Sequence, residues 1–216
     1  MEMISAEGCL PAYMNPSEQS GLPGAGSQTL PFGIFTANDV RTIHAVTDLG
    51  RTVPLFHYEA AYILRPGQQL DANNVAQCKA AFRASEYQFL TNSQQDVEKL
   101  VRLLDPYLGA NCHGWVFARG RFGIKDEFIA DILADHAYIQ VEEPTSGDLA
   151  VYFHEGVAVH SGFARRSDAG SVIVESKWGP FGVFRHPPEA YAFPGTCAFY
   201  RSPRATHELS FRPVSQ

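Results

Sequence analysis

The chain has 216 residues, 45% hydrophobic and 19% charged, with a formal net charge of -6. That content supports one sizeable core and excludes wholesale disorder, and no apolar run reaches the ~18 residues that a membrane span needs. Residues 1–90 carry 5 basic and 8 acidic side chains and residues 91–216 carry 12 and 15, so no basic stripe exists for a nucleic-acid backbone.

The N-terminus lacks a basic segment followed by an apolar one. The expectation is a cytoplasmic protein, or one exported without a cleavable signal. Residues 15–33, "NPSEQSGLPGAGSQTLPFG", are rich in Gly, Pro and Ser. They read as a flexible arm or a draped loop, so 1–35 is assigned as a loop-rich arm. Residues 36–90 are expected to form an extension packed on the core, with a strand in "TVPLFHYEAAYIL" (52–64) and a helix over 71–87 opened by Asp71 or Asn73. Cys78 within that helix reads as a packing residue.

Residues 93–110, "SQQDVEKLVRLLDPYLGA", predict a helix capped by Ser93. Asp96 and Glu98 suit its first turn, and Val97, Leu100, Val101 and Leu104 form one apolar stripe. "NCHGWVF" follows as a short buried helix. "KDEFIADILADH" (125–136) is another, with Phe128, Ile129, Ile132 and Leu133 on one face.

From Tyr138 the pattern changes to strands punctuated by Gly and Pro: "AYIQVEE", "GDLAVYFHEGVAVHSGFARR", "GSVIVESKWG", "GVFRHP" and "GTCAFYRSP". Helices followed by an antiparallel sheet make an α+β class. Residues 91–205 are assigned as the core and 206–216 as a tail.

Cys9, Cys78, Cys112 and Cys197 are scattered with no CxxC pair, which argues against a disulfide framework or a structural zinc site. A functional thiol remains. Cys112 stands after a helix stop and before a buried helix, where unpaired N–H groups can lower a thiol pKa from roughly 8.5 and bind an oxyanion. Gly114 lets a substrate or a facing strand approach. A base must come from elsewhere, and His160 in the apolar "VAVHSGF" is the candidate. Strict alternation puts Val157, Val159 and Ser161 on one face and Ala158 and His160 on the other. Glu175 or Ser176 on the next strand then orients the imidazole, and the register decides which.

"NCHGW" resembles the D-C-S-G motif of NlpC-type cysteine peptidases, and "GDLAVYFHEGVAVHSGF" resembles their G-D-L-V-x-F, loop, H-V-G-I hairpin. "VESKWGPFGVFRH" further resembles an uncharacterised bacterial NlpC-like branch with an S-K-x-G segment. The resemblance spans 105–203 and implies a papain-like fold, Cys112 as nucleophile, His160 as base and Glu175 or Ser176 as third residue. No cofactor is implied. Asn111 in place of the usual Asp and His113 in place of Ser are departures, and with Trp178 and His186 they are candidate substrate-binding residues; Trp115 and Trp178 also fit plain packing.

The implied reaction is cleavage of an amide or peptide bond through an acyl-enzyme, with a peptidoglycan stem peptide as the family's usual substrate. A toxin-like effector and a cytoplasmic amidase both fit. The first 90 residues match no family and leave room for a partner protein. "NCHGWVFARGRFG" also resembles the N-C-E-H-F motif of lecithin retinol acyltransferase-type enzymes, with His57 as an upstream base. A non-catalytic module on the same fold is the third reading. His154, His160 and His186 lack metal-ligand spacing, so no metal is expected.

Overall fold

The computed structural model describes residues 43–56, 72–92, 97–107, 109–190 and 195–213. His57, Asp71, Ser93 and Asp96 lie outside them, as do Cys9 and the side chain of Cys78.

The elements in chain order are β1 (Ile43–Val46), β2 (Thr52–Val53), α1 (Ala72–Asn92), β3 (Val101–Leu104), α2 (Cys112–Phe117), α3 (Ile129–Asp135), β4 (Ile139–Val141), β5 (Leu149–His154), β6 (Val157–Arg166), β7 (Val172–Lys177), β8 (Val183–His186), β9 (Thr196–Arg201) and β10 (Ser210–Pro213). The class is α+β. Seven strands form one sheet in the order β3-β8-β7-β6-β5-β9-β4, and β10-β1-β2 form a second; the described pairings are antiparallel.

The β5–β6 hairpin turns through Glu155 and Gly156, both at positive φ (50° and 81°). That is the type I′ geometry whose twist matches paired strands. Its base is anchored by Asp148, which accepts from Thr145 N at 2.7 Å and from Arg201 at 2.7 and 3.0 Å. Burial pushes this carboxyl up, but those bonds outweigh it and hold it below the usual carboxylate range.

The core lies between one face of the large sheet, α2 and α3, and the small sheet. Val116 and Phe117 of α2 meet Ile129, Ile132 and Leu133 around α3, Leu149 and Val151 of β5, and Ala45 and Val53 of the small sheet. Leu209, just before β10, also enters this core and donates its N–H to Phe117 O at 2.9 Å. The segment called a tail from sequence therefore runs into a sheet paired with β1.

The described residues of 93–110 do not form the expected helix. A 3-10 turn at Val97–Lys99 leads into the edge strand β3, paired with β8 through Val101↔Arg185 and Arg102↔Phe184. Val101 is 57% exposed, so the apolar stripe is not buried as a helix face would be. Two interactions hold the strand at this edge: the Arg102 guanidinium contacts the buried Glu86 of α1 and lies 5.0 Å over the Phe184 ring. Ladder bonds and these contacts override helical periodicity.

Candidate active site

The environment of Cys112 begins with its own cap. Asn111 is extended (φ -87°, ψ -173°), and its Oδ1 accepts from Gly114 N at 2.9 Å, the bond that starts α2 at Cys112. The same amide holds the backbone of Ile124. Gly114 is where α2 and the 122–123 segment cross: a Cβ there would stand 1.6 Å from Phe122 O. Backbone fills the space that the sequence reading allotted to a substrate or a facing strand.

Cys112 is buried, and backbone N–H groups of Ser161 and His113 lie near its sulfur. Burial pushes the thiol up to about 12 and Asp126 adds to the rise, while those two N–H groups and Lys177 act in the opposite direction. So buried, Cys112 is a thiol. With six residues, α2 makes at most a small macrodipole, so the sulfur's surroundings matter more than the helix end.

His160 does not meet the sulfur. Tyr152↔His160 and Val151↔Ser161 are successive pairs of the hairpin, and successive strand residues point to opposite faces. Val151 belongs to the core beneath α2, while Tyr152 packs with Ala150 and Val174 on the other face. Ser161 therefore faces α2 and His160 faces away, its ring 5.4 Å from that of Tyr152. Burial, with His186 and His113 nearby, pushes the His160 imidazole well below its ordinary value, so it is neutral. A register shift beside Tyr152 also corrects the expected alternation. Ala158 joins the α2-side core, and Val159 packs with the Tyr152 face.

Neither expected third residue is bonded to His160. Glu175 pairs across the sheet with Phe163, two residues from Ser161 and hence on the α2 side, and is taken up by Arg185 at 3.1 Å and Arg165 at 3.5 Å. Ser176 shares the His160 face but serves His186 and Trp178: its hydroxyl lies 3.0 Å from His186 Nε2 and accepts from Trp178 Nε1 at 3.1 Å. Trp178, fully buried, and His186 are thus packing partners of one another, 5.3 Å apart edge to face, rather than lining for an open cleft. His154 and Glu155, expected at a solvated hairpin tip, are exposed there.

His113 is fully buried. Its Nδ1 lies 2.9 Å from Ser161 Oγ and its Nε2 is 3.1 Å from Asp126 Oδ1, the latter off the line of a good hydrogen bond. Asp126 is a quarter exposed. His113 thus ties α2 to β6 rather than facing a substrate.

Two neighbours of the thiol escaped the sequence reading: Asp126 and Lys177. Lys177 is fully buried, its Nζ donating to Gly179 O at 2.5 Å and Phe181 O at 2.9 Å and lying 4.4 Å over the Tyr107 ring. Burial brings the amine down to about 7, with Cys112 and Glu86 acting upward. The available signal was a lysine closing a strand that opens with three apolar residues, just before Trp178. Among the described residues no group of three or more His, Cys, Asp or Glu is placed to hold a metal ion, and no helix is long and apolar enough to cross a membrane.

Comparison of the chain with models of protein families, with curated proteins and with solved structures finds no match.

Proposed function

We propose that this chain is a papain-like thiol hydrolase that cleaves an amide or peptide bond through an acyl-enzyme on Cys112. One observation carries the reading. Cys112 opens α2 at its seam with the sheet, where the next residue, His113, lies 2.9 Å from Ser161 Oγ of the histidine-bearing strand and the cation-forming Lys177 of the following strand acts on the thiol. The order of a cysteine helix followed by a strand hairpin adds support from the NlpC-like resemblance. A thiolate formed there attacks the carbonyl carbon, the amine departs, and water releases the acyl group. N–H groups that lower the thiol's pKa are suited to an oxyanion as well.

A non-catalytic module on the same fold is the competing reading, favoured by the thiol pKa of about 12. The two separate with p-nitrophenyl acetate. A hydrolase gives a burst of nitrophenol and an acetyl group on the Cys112 peptide by mass spectrometry, both lost in Cys112→Ser. No Cys112 adduct, or a burst that survives Cys112→Ser, sinks the hydrolase reading.

A further inference from the structure

We propose that the side-chain amine of Lys177, not the imidazole of His160, accepts the proton of the Cys112 thiol. This rests on the thiol-hydrolase reading and names its base.

The register places the two groups together. Strands β6 and β7 are paired up to Phe163↔Glu175. The next positions are Gly162 and Ser176, and they are close: a Cβ on Gly162 would stand 2.7 Å from Ser176 Cβ. One step further puts Ser161 beside Lys177, on the face that carries Cys112. Ser161 Oγ lies 2.9 Å from Nδ1 of His113, the residue after Cys112, and Cys112 and Lys177 act electrostatically on each other. The far side of Lys177 is closed by Tyr107, whose ring lies 6.2 Å from Trp115 of α2. His160 is on the opposite face.

The bonding at Nζ suits a proton acceptor. A neutral amine has two N–H donors and one lone pair, and two carbonyls, Gly179 O and Phe181 O, take up two donors. The lone pair is left for the thiol proton. The S–H bond of Cys112 breaks and an N–H bond forms at Lys177, giving a thiolate–ammonium pair with no other reactant. The thiolate attacks the amide carbon, and the same proton then passes from Lys177 to the departing amine, restoring the amine. The amine's position near 7 leaves a large neutral fraction at neutral pH. Buried Glu86 also faces this region and favours the ammonium, but it is engaged by Arg102 and by Gly182 N at 2.6 Å.

The test is the rate of iodoacetamide alkylation of the full chain across pH, read at the Cys112 peptide, with the Cys197 peptide as internal reference. Cys197 is half-buried and burial raises it to about 12 as well, so it reports a thiol with no amine beside it and freer access to reagent. The expected result is Cys112 reacting faster than Cys197 at neutral pH. Lys177→Met lowers that rate roughly 100-fold, Lys177→Arg does not restore it because arginine stays protonated, and His160→Gln leaves it within about twofold. If wild-type Cys112 reacts no faster than Cys197, the hydrolase reading falls and this proposal with it. If wild-type Cys112 is reactive but Lys177→Met is equally so, or His160→Gln abolishes the reactivity, the hydrolase stands and the lysine assignment is overturned. Should Lys177→Met not fold, the Lys177 titration followed by carbon NMR decides. It moves to lower pH in Cys112→Ala if the pair is coupled, and an unmoved titration overturns the proposal.

Discussion

Asn111 and Ile124 exchange two hydrogen bonds: Asn111 Nδ2 donates to Ile124 O at 2.7 Å, and Ile124 N donates to Asn111 Oδ1 at 3.1 Å. The residue before the cysteine therefore needs both a donor and an acceptor, and a carboxylate supplies only acceptors. The asparagine that stands where NlpC-type peptidases carry an aspartate is a double clamp on Ile124. Asn111→Asp aims a buried carboxylate at a carbonyl, at an expected cost of about 1–3 kcal/mol. The sign of its pH dependence follows from the burial. The carboxyl's folded pKa lies above its unfolded value of about 3.9, so the variant is closest to wild type below that pH and the deficit grows as pH rises. Urea denaturation at acid and neutral pH measures this; a deficit that shrinks with rising pH would refute it.

Gly114 makes a sharper demand. With Phe122 O 1.6 Å from a hypothetical Cβ, Gly114→Ala cannot keep α2 and the 122–123 backbone where they are. The expected loss is at or above about 3 kcal/mol, seen as a large fall in thermal midpoint. A midpoint close to wild type would show that the crossing yields without cost. That result would count against a rigidly held Cys112.

Ser176 and Glu175 separate packing from chemistry. Ser176→Ala removes the hydroxyl that bonds two buried groups, His186 Nε2 and Trp178 Nε1, and the expected cost is about 1–3 kcal/mol. Glu175→Gln loses ion pairs with partly exposed arginines, and its effect stays within about 1 kcal/mol. Neither substitution alters Cys112 alkylation by more than about twofold, since neither residue bonds His160 or the thiol. A large drop in alkylation with stability intact would return either residue to the third catalytic position that the resemblance implies.

The sequence disclosed the hairpin, the short cysteine helix and the α+β class because each has a local signal. Alternation with a Glu-Gly turn specifies the hairpin, and an Asn cap before an apolar run specifies α2. What it hid is non-local. The stripe Val97, Leu100, Val101, Leu104 satisfies helical spacing, but pairing with β8 decides the outcome for 101–104. The extra residue near Val159 is invisible without the partner strand. Lys177 broke the rule that lysine is a surface residue, and only the tertiary positions of Gly179 O, Phe181 O and Tyr107 explain it. The face on which His160 lies depends on the hairpin register, and there a strong sequence expectation met a different arrangement.

Acid stability follows from His186. Its Nδ1 lies 2.8 Å from Pro187 O and must be the donor, so Nε2 accepts the Ser176 hydroxyl proton. The Ser176 oxygen already takes the Trp178 N–H. Protonating Nε2 would force that hydroxyl to turn around in a closed site. Burial accordingly brings His186 down from 6.5 to about 4. A base whose folded pKa is depressed contributes fully above its unfolded value, because both states are then neutral. As pH falls from 6.5 towards 4 the unfolded chain takes up the proton first and stability declines, by about 3 kcal/mol for this group once both states are protonated. His160 acts in the same direction. His186→Gln removes one titrating group, so its stability at neutral pH is lower but its curve between pH 6.5 and 4 is flatter than that of wild type. Stability measured by urea at several pH values checks this, and parallel curves for the two proteins would exclude a buried neutral His186.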